Sequence, residues 1–239
     1  MEGGMDPFST LADLVIERPG RAKVLDRLGL DYCCRGRRTL DEACRGSGLD
    51  AKRVLAEIIA GDDEPDAEPA GIGEGLAALC DSIERTHHAF LRETLPRVSA
   101  LGERVERTHA ARDPRLTRLA QVIAAFRKEM ELHLLREEKV LFCWIRSLER
   151  GERGEAGLPA WGLNAPIACM EAEHEDVTDA LEEMRTLTDG YTPPAWACPT
   201  YRALLESLRE LEEDTRRHVH KENNILFPRA AKLEGKGTL

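Results

Sequence analysis

The sequence has few aromatic residues and no long apolar run. Phe, Trp and Tyr make up 5% of its 239 residues, whereas Ala, Leu, Glu and Arg fill long stretches. Few segments alternate apolar with polar residues, so the pattern favours helices over strands and predicts an all-α chain. No apolar run approaches the roughly 20 residues that a membrane-spanning helix needs, so we expect no membrane contact.

Basic residues are also too few to form a nucleic-acid surface. The chain holds 34 Lys and Arg against 44 Asp and Glu, a net charge of −10, and its arginines are interleaved with glutamates. Such interleaving is typical of solvated helix faces, whereas nucleic-acid binding requires a basic patch. Residues 1–12 lack the basic flank and apolar stretch of a signal peptide. We therefore expect a cytoplasmic protein with no nucleic-acid partner.

The seven cysteines do not suit a secreted disulfide framework, because their number is odd and two are adjacent. The adjacent pair, Cys33 and Cys34, cannot easily form a strain-free disulfide. Arg35, Arg37 and Arg38 follow the pair and are expected to lower its thiol pKa. We interpret the pair as a reactive or metal-binding thiol site; the alternative is that Cys33 belongs to the core and Cys34 has no role. The other five cysteines are interpreted as ordinary helix or loop residues: Cys44, Cys80, Cys143, Cys169 and Cys198.

An acidic segment divides the chain into two predicted domains. Residues 62–72 hold two prolines among acidic residues, which is typical of a linker. Residues 1–61 are predicted to form a small helical N-terminal domain. In this domain Thr39 and Glu42 make a capping box at the start of one helix, and Asp50 caps the next.

Four long helical patterns follow in residues 73–239. Because the connections between them are short, they predict an up-down-up-down four-helix bundle. The predicted helices run over about 74–107, 114–149, 164–190 and 200–232.

A motif repeated in the second and fourth predicted helices indicates metal binding. Both copies read His-x-x-x-Glu-x-x-x-Leu-Phe. Residues four apart lie on one face of a helix, so the His and the Glu of one copy can reach a single metal or a bridged pair of metals. The Leu-Phe pair is expected to pack the bundle below the site. The copies are His133, Glu137, Leu141 and Phe142, and His218, Glu222, Leu226 and Phe227.

Each motif has a matching histidine on the preceding helix. His88 lies 45 residues before His133, and His174 lies 44 residues before His218. The two hairpins would each supply two imidazoles and one carboxylate, which predicts two metals. The alternative is a surface contact between His and Glu in each motif, but burying these groups without a metal would be costly. The ligand types suit iron, manganese or zinc, and the histidine-rich set favours an oxygen- or nitric-oxide-reactive di-iron centre.

The other three histidines are not expected to bind in this way, with one alternative left open. His109 lies about 30 Å from His88 along the same helix, and His220 lies on roughly the opposite face from the motif histidine two residues before it. His87 is the open alternative to its neighbour. Ile83 lies four residues before His87 and favours an inward His87. The downstream apolar stripe at 91, 95, 98 and 105 favours an inward His88 instead. We choose His88.

Six stretches of the bundle resemble a known family: 83–96, 133–142, 170–175, 192–194, 198–203 and 218–230. The bundle resembles a hemerythrin-type domain. The whole arrangement resembles the iron-sulfur cluster repair di-iron proteins, also called repair-of-iron-centres proteins. The resemblance implies two iron ions bridged by the two glutamates. The implied ligands are His88, His133, Glu137, His174, His218 and Glu222.

The N-terminal domain resembles the N-terminal domain of the same family. The matching residues are the segment 28–34, which ends in the two cysteines, and the segment 39–44. Family members usually read Cys-Cys-Gly-Gly, whereas this chain reads Cys-Cys followed by Arg35 and Gly36. The lost glycine is expected to affect the turn after the cysteines.

The resemblance implies repair of iron-sulfur clusters damaged by oxidative or nitrosative stress, by iron donation rather than by enzymatic catalysis. Damaged iron-sulfur proteins would be the partners, and Cys33 and Cys34 would hand on iron or dock the client. The alternative is a hemerythrin-like protein that binds or senses oxygen or nitric oxide. Direct chemistry on nitric oxide or peroxide is a weaker third interpretation, and a homodimer is left open.

Overall fold

The computed structural model describes residues 6–62, 73–152 and 162–236. Within these ranges all regular structure is helical, and the only β-type contact is an isolated bridge between Thr10 and Thr39. The predicted all-α class is therefore confirmed. None of the helices in these ranges is both long enough and apolar enough to span a membrane.

The chain divides into two compact units. The first unit contains Met1–Gly75 together with Arg216–Arg229, and the second contains Leu76–Thr215 together with Ala230–Leu239. The predicted linker at 62–72 lies outside the described residues except for its first residue. The predicted domain limits on either side of it therefore stay a prediction.

The first unit begins with short helices whose ends are set by side-chain caps. As predicted, Thr39 and Glu42 form a capping box, and the Asp50 carboxylate accepts the first backbone N–H groups of the next helix. The first helix was not predicted, although the Thr10 hydroxyl caps it by accepting the N–H of Asp13 at 3.1 Å. The elements are α1 (Leu11–Glu17), a 3-10 turn (Pro19–Arg21), α2 (Ala22–Arg27), α3 (Leu40–Ser47) and α4 (Ala51–Gly61).

The loop after the two cysteines depends on Gly36. A Cβ at this position would overlap the carbonyl oxygen of Tyr32 and lie 3.0 Å from Asn224 Oδ1, so only glycine fits. Arg35 is exposed. Its backbone φ is not positive, because Asp189 and Tyr191 are the described residues other than glycine with a positive φ. The arginine therefore fits the turn without backbone strain, and the expected effect of the lost glycine stays a prediction.

Four long helical segments follow, as predicted, and their ends lie within a few residues of the predicted ones. A core of buried apolar side chains joins four of their helices in the second unit, from Leu91 through Leu119 and Leu181 to Leu211. The elements are α5 (Leu76–Ile83), α6 (Ala89–His109), α7 (Arg115–Arg136), α8 (Phe142–Glu149), α9 (Asn164–Leu187), α10 (Pro199–Lys221) and α11 (Phe227–Lys236).

Three five-residue π-helical turns interrupt these segments, at Glu84–His88, Glu137–Leu141 and Glu222–Leu226. A π turn widens the helix and frequently marks a functional site. The first turn ends at a predicted ligand, and the other two begin at one. Because a π turn departs from the regular 3.6-residue period, α-helical spacing alone could not decide between His87 and His88.

Candidate metal centre

His88 is fully buried and contacts three side chains. Its Nε2 lies 3.4 Å from Glu137 Oε2, and its Nδ1 lies 2.8 Å from Glu138 Oε1. The ring stacks on Phe142 with 5.7 Å between the ring centroids and an angle of 17° between the planes. These contacts direct Nε2 toward the carboxylate of Glu137.

His133 and His174 approach the same carboxylate. The Nε2 of His133 lies 3.2 Å from Glu137 Oε1, and the Nε2 of His174 lies 3.9 Å from that oxygen. The two Nε2 atoms are 3.1 Å apart. On its far side, His133 presents Nδ1 to Glu173 Oε2 at 2.8 Å. Three imidazole nitrogens thus converge on one buried carboxylate group.

The second motif gives a similar local geometry in the first unit. His218 Nε2 lies 3.0 Å from Glu222 Oε1, and both side chains are fully buried. The Leu-Phe pairs of both motifs are also buried, as the sequence predicted. They are Leu141, Phe142, Leu226 and Phe227.

Two overlapping groups of buried histidines and glutamates could each hold a metal ion. Within each group, one ligand atom from every residue lies within 4.8 Å of the others. Both groups contain the two glutamates, and each group adds two histidines. One group is His88, His218, Glu137 and Glu222, and the other is His133, His174, Glu137 and Glu222. The histidines are thus grouped across the two sequence hairpins, and the carboxylates are common to both groups.

The donor set fits a transition-metal cation. Glu137 and Glu222 are 0% exposed, and a buried carboxylate is costly unless a cation compensates its charge. Two nitrogen ligands that are each about 2.1 Å from one ion lie about 3 Å apart at right angles. The 3.1 Å between the Nε2 atoms of His133 and His174 matches that separation. Imidazole with carboxylate and without thiolate suits iron, manganese or zinc.

Two further carboxylates set the orientation of the histidine rings. Glu138 accepts a hydrogen bond from His88, and Glu173 accepts one from His133. Because an ionised carboxylate can only accept, each Nδ1 carries the hydrogen and each Nε2 keeps its lone pair for a metal. Burial raises the pKa of Glu138, but hydrogen bonds from His88 and Arg92 outweigh it and lower the pKa. The hydrogen bond from His133 is the main cause that lowers the pKa of Glu173.

We predict that Glu138→Gln and Glu173→Gln weaken metal binding without removing any of the six predicted ligands. Loss of such an outer carboxylate typically lowers metal affinity about 10- to 100-fold, because the imidazole loses its orientation and basicity. The measurement is the metal retained during titration with a chelator. Glu175→Gln is the matched control, because Glu175 flanks His174 on the other side and is exposed. Equal retention in all three variants and the unchanged protein would contradict the orienting role.

The three other histidines have different partners, and neither metal group includes them. His87 is buried with its Nδ1 2.9 Å from Asp214 Oδ1. His109 has its Nε2 3.2 Å from Cys198 Sγ. His220 is buried in the first unit, where its Nδ1 lies 3.2 Å from the Tyr32 carbonyl oxygen.

The two adjacent cysteines form a compact cluster with Asp31. The carboxylate of Asp31 accepts the backbone N–H groups of Cys33 and Cys34 at 3.0 and 2.9 Å. The two sulfurs are 3.9 Å apart, so no disulfide bond joins them. The ligand atoms of these three residues also lie within 4.8 Å of one another, close enough for one metal ion.

The expected lowering of thiol pKa is wrong for Cys33. The hydrogen bond to Cys34 and burial raise the pKa of Cys33 well above its ordinary value. The Asn224 side chain donates to the carbonyl oxygens of Tyr32 and Cys33 at 3.2 and 3.0 Å. These hydrogen bonds hold the cysteine loop against the π-helical turn Glu222–Leu226, which contains Asn224. Cys33 is therefore a buried core thiol, as the alternative interpretation of the pair expected. It also belongs to the cluster with Asp31 and Cys34.

The π turns and the outer carboxylates were not found by sequence reasoning. The signal for the carboxylates was present, since Glu138 directly follows Glu137 and Glu173 directly precedes His174. A glutamate next to a ligand can reach the ring of another ligand histidine on a neighbouring helix. No sequence signal for the π turns was identified.

The comparisons with known proteins agree with this arrangement. Residues 81–230 match the family described as the hemerythrin HHE cation binding domain, and residues 8–62 match a domain of unknown function, DUF542. The iron-sulfur cluster repair protein YtfE of Edwardsiella ictaluri is 34% identical over 220 residues, which cover 92% of this chain and 95% of the relative. The protein of the same name from Yersinia pseudotuberculosis is 35% identical over 225 residues, which cover 94% and 97%. The chain therefore belongs to the iron-sulfur cluster repair protein family, whose hemerythrin HHE cation-binding domain follows an N-terminal DUF542 domain.

Proposed function

We propose that the two groups of histidines and glutamates bind two iron ions. Each group contains two imidazoles, and Glu137 and Glu222 occur in both. The shared glutamates are the bridging ligands in this proposal, because a carboxylate has two oxygens and can contact two ions. The six proposed ligands are His88, His133, Glu137, His174, His218 and Glu222.

The protein helps to restore iron-sulfur clusters damaged by oxidative or nitrosative stress, and its bound iron supplies the metal that a damaged cluster has lost. The observation that carries this proposal is the shared pair of buried glutamates within a histidine-rich donor set. The relatives that match nearly the whole chain are named iron-sulfur cluster repair proteins. The clients are accordingly damaged iron-sulfur proteins, and the protein acts as an iron donor rather than as an enzyme.

The thiol cluster lies beside the helix segment that carries Glu222. Asn223 directly follows that glutamate, and its Nδ2 lies 3.9 Å from Cys34 Sγ and 3.5 Å from the Cys33 carbonyl oxygen. All of these residues belong to the first unit. A pair of soft sulfur ligands at this position can accept iron, since thiolate binds iron readily once its proton is displaced. The cysteines are therefore the proposed step between the iron centre and the client.

The experiment is reactivation of an iron-sulfur dehydratase damaged by nitric oxide, with iron content measured in the same samples. Iron-loaded protein is expected to restore activity, and the same chain stripped of iron is not. If the iron-loaded protein restores nothing but binds nitric oxide or oxygen reversibly, the gas-binding interpretation replaces repair.

In the full chain, Cys33→Ser combined with Cys34→Ser is expected to keep its iron and to lose most of the reactivation. The control is Cys143→Ser combined with Cys169→Ser, because both of these thiols are exposed and lie outside the thiol cluster. Helical content and iron content are measured for both double variants. Full reactivation by the Cys33 and Cys34 variant would remove the thiols from the proposed route.

A further inference from the structure

A second thiol site lies in the other unit, at the start of α10. Cys198 immediately precedes the first helical residue, and its Sγ lies 3.2 Å from Nε2 of His109 at the end of α6. Both residues are partly exposed, so the pair is accessible from solvent. A thiol in contact with an imidazole is the arrangement that activates cysteine as a nucleophile.

The start of the helix adds to this activation. The contact with His109 and the backbone N–H of Tyr201 lower the pKa of Cys198 below its ordinary value, and the N–H of Thr200 acts in the same direction. These N–H groups lie at the positive end of the helix dipole, which favours a thiolate. Cys198 thus lies beside an imidazole at a helix start, a setting that its sequence interpretation as an ordinary loop residue did not include.

Aromatic rings and the exposed guanidinium of Arg112 lie near the pair. His109 lies against Trp196, with the ring centroids 5.5 Å apart, and against Tyr201 at 6.1 Å. The guanidinium of Arg112 lies 4.6 Å from the centre of the Trp196 ring and is exposed to solvent. The nearby carboxylates of Asp113 and Asp189 are held by Arg115 through hydrogen bonds. Arg112 is therefore available to attract an anionic ligand.

We propose that Cys198 is a thiol–disulfide exchange site that takes up a small thiol from a low-molecular-weight disulfide carrying carboxylates. The Cys198 thiolate attacks one sulfur of the small disulfide, the original S–S bond breaks, and a new S–S bond to Cys198 forms. His109 takes the proton of the Cys198 thiol as the thiolate forms and passes it to the departing thiolate, which leaves as a neutral thiol. Cys198 is oxidised and one half of the small disulfide is reduced, so the exchange needs no further oxidant.

The test uses the reduced full-length protein and glutathione disulfide, with the modified peptides quantified by mass spectrometry over time. Cys198 is expected to react on the order of 10-fold faster than Cys143 or Cys169, although both of those thiols are more exposed. Equal rates at the three cysteines, or faster reaction at the exposed pair, would overturn the proposal.

His109→Gln removes the imidazole and is expected to slow modification of Cys198 by about 10-fold, while the rates at Cys143 and Cys169 stay unchanged as internal standards. An unchanged rate at Cys198 in this variant would refute the role of the pair. If the variant loses helical content, the order of rates in the unaltered protein still decides the question. Arg112→Gln should slow the reaction with glutathione disulfide but not with the uncharged 2-hydroxyethyl disulfide. Equal slowing with both disulfides would rule out recognition of carboxylates by Arg112.

Discussion

His88→Ala is expected to lower the iron content from about two ions per chain to about one, because His88 belongs to only one of the two ligand groups. His133→Ala should have the same effect through the other group. The substitution removes one nitrogen ligand from its group, and the remaining imidazole and two carboxylates bind iron less tightly. The measurement is elemental analysis after the removal of loosely bound metal.

The matched control for this prediction is His87→Ala. His87 directly precedes His88 and is similarly buried, but it contacts Asp214 and belongs to neither group. It should keep both irons. Loss of iron from the His87 variant together with full retention in the His88 variant would show that the choice between the neighbours is wrong.

The two shared glutamates should have a larger effect than any single histidine. Glu137→Gln and Glu222→Gln each remove a charge that both ligand groups use, so each variant is expected to lose both irons in parallel. Glutamine keeps the size of the side chain, so the change tests the charge and the second oxygen rather than packing. In oxidised protein, the near-ultraviolet absorption of a bridged ferric pair should weaken together with the iron content.

Glu138→Gln is the control for this pair of variants, since Glu138 adjoins Glu137 in sequence but contacts the Nδ1 side of His88. It should retain far more iron than Glu137→Gln. Unchanged absorption and iron content in both the Glu137 and Glu222 variants would place these carboxylates outside the metal coordination.

Much of the fold followed from local sequence signals. The caps at Thr39 and Asp50 and the long amphipathic patterns predicted the helices, because capping and burial of an apolar face act over a few residues. The first helix was overlooked although Thr10 and Asp13 have cap spacing. The π turns could not be predicted in this way, since their form depends on packing around buried histidine and glutamate side chains rather than on local propensity.

The candidate ligands could be predicted because their motif is repeated along the chain. The repeated His-x-x-x-Glu motif and its upstream histidines indicated the residues that the structure groups together. The sequence could not predict which two histidines share a group, because that depends on how the helices pack in space. The contact between His109 and Cys198 was also beyond sequence reasoning, since 89 residues separate the two along the chain.

The most direct test of the central claim is metal analysis of the full-length protein purified without oxygen. The two overlapping ligand groups predict about two metal ions per chain, and the proposed iron donation requires that these ions be iron. A single zinc ion per chain, or no tightly bound metal in protein that is fully folded, would contradict the di-iron centre and the repair function that depends on it.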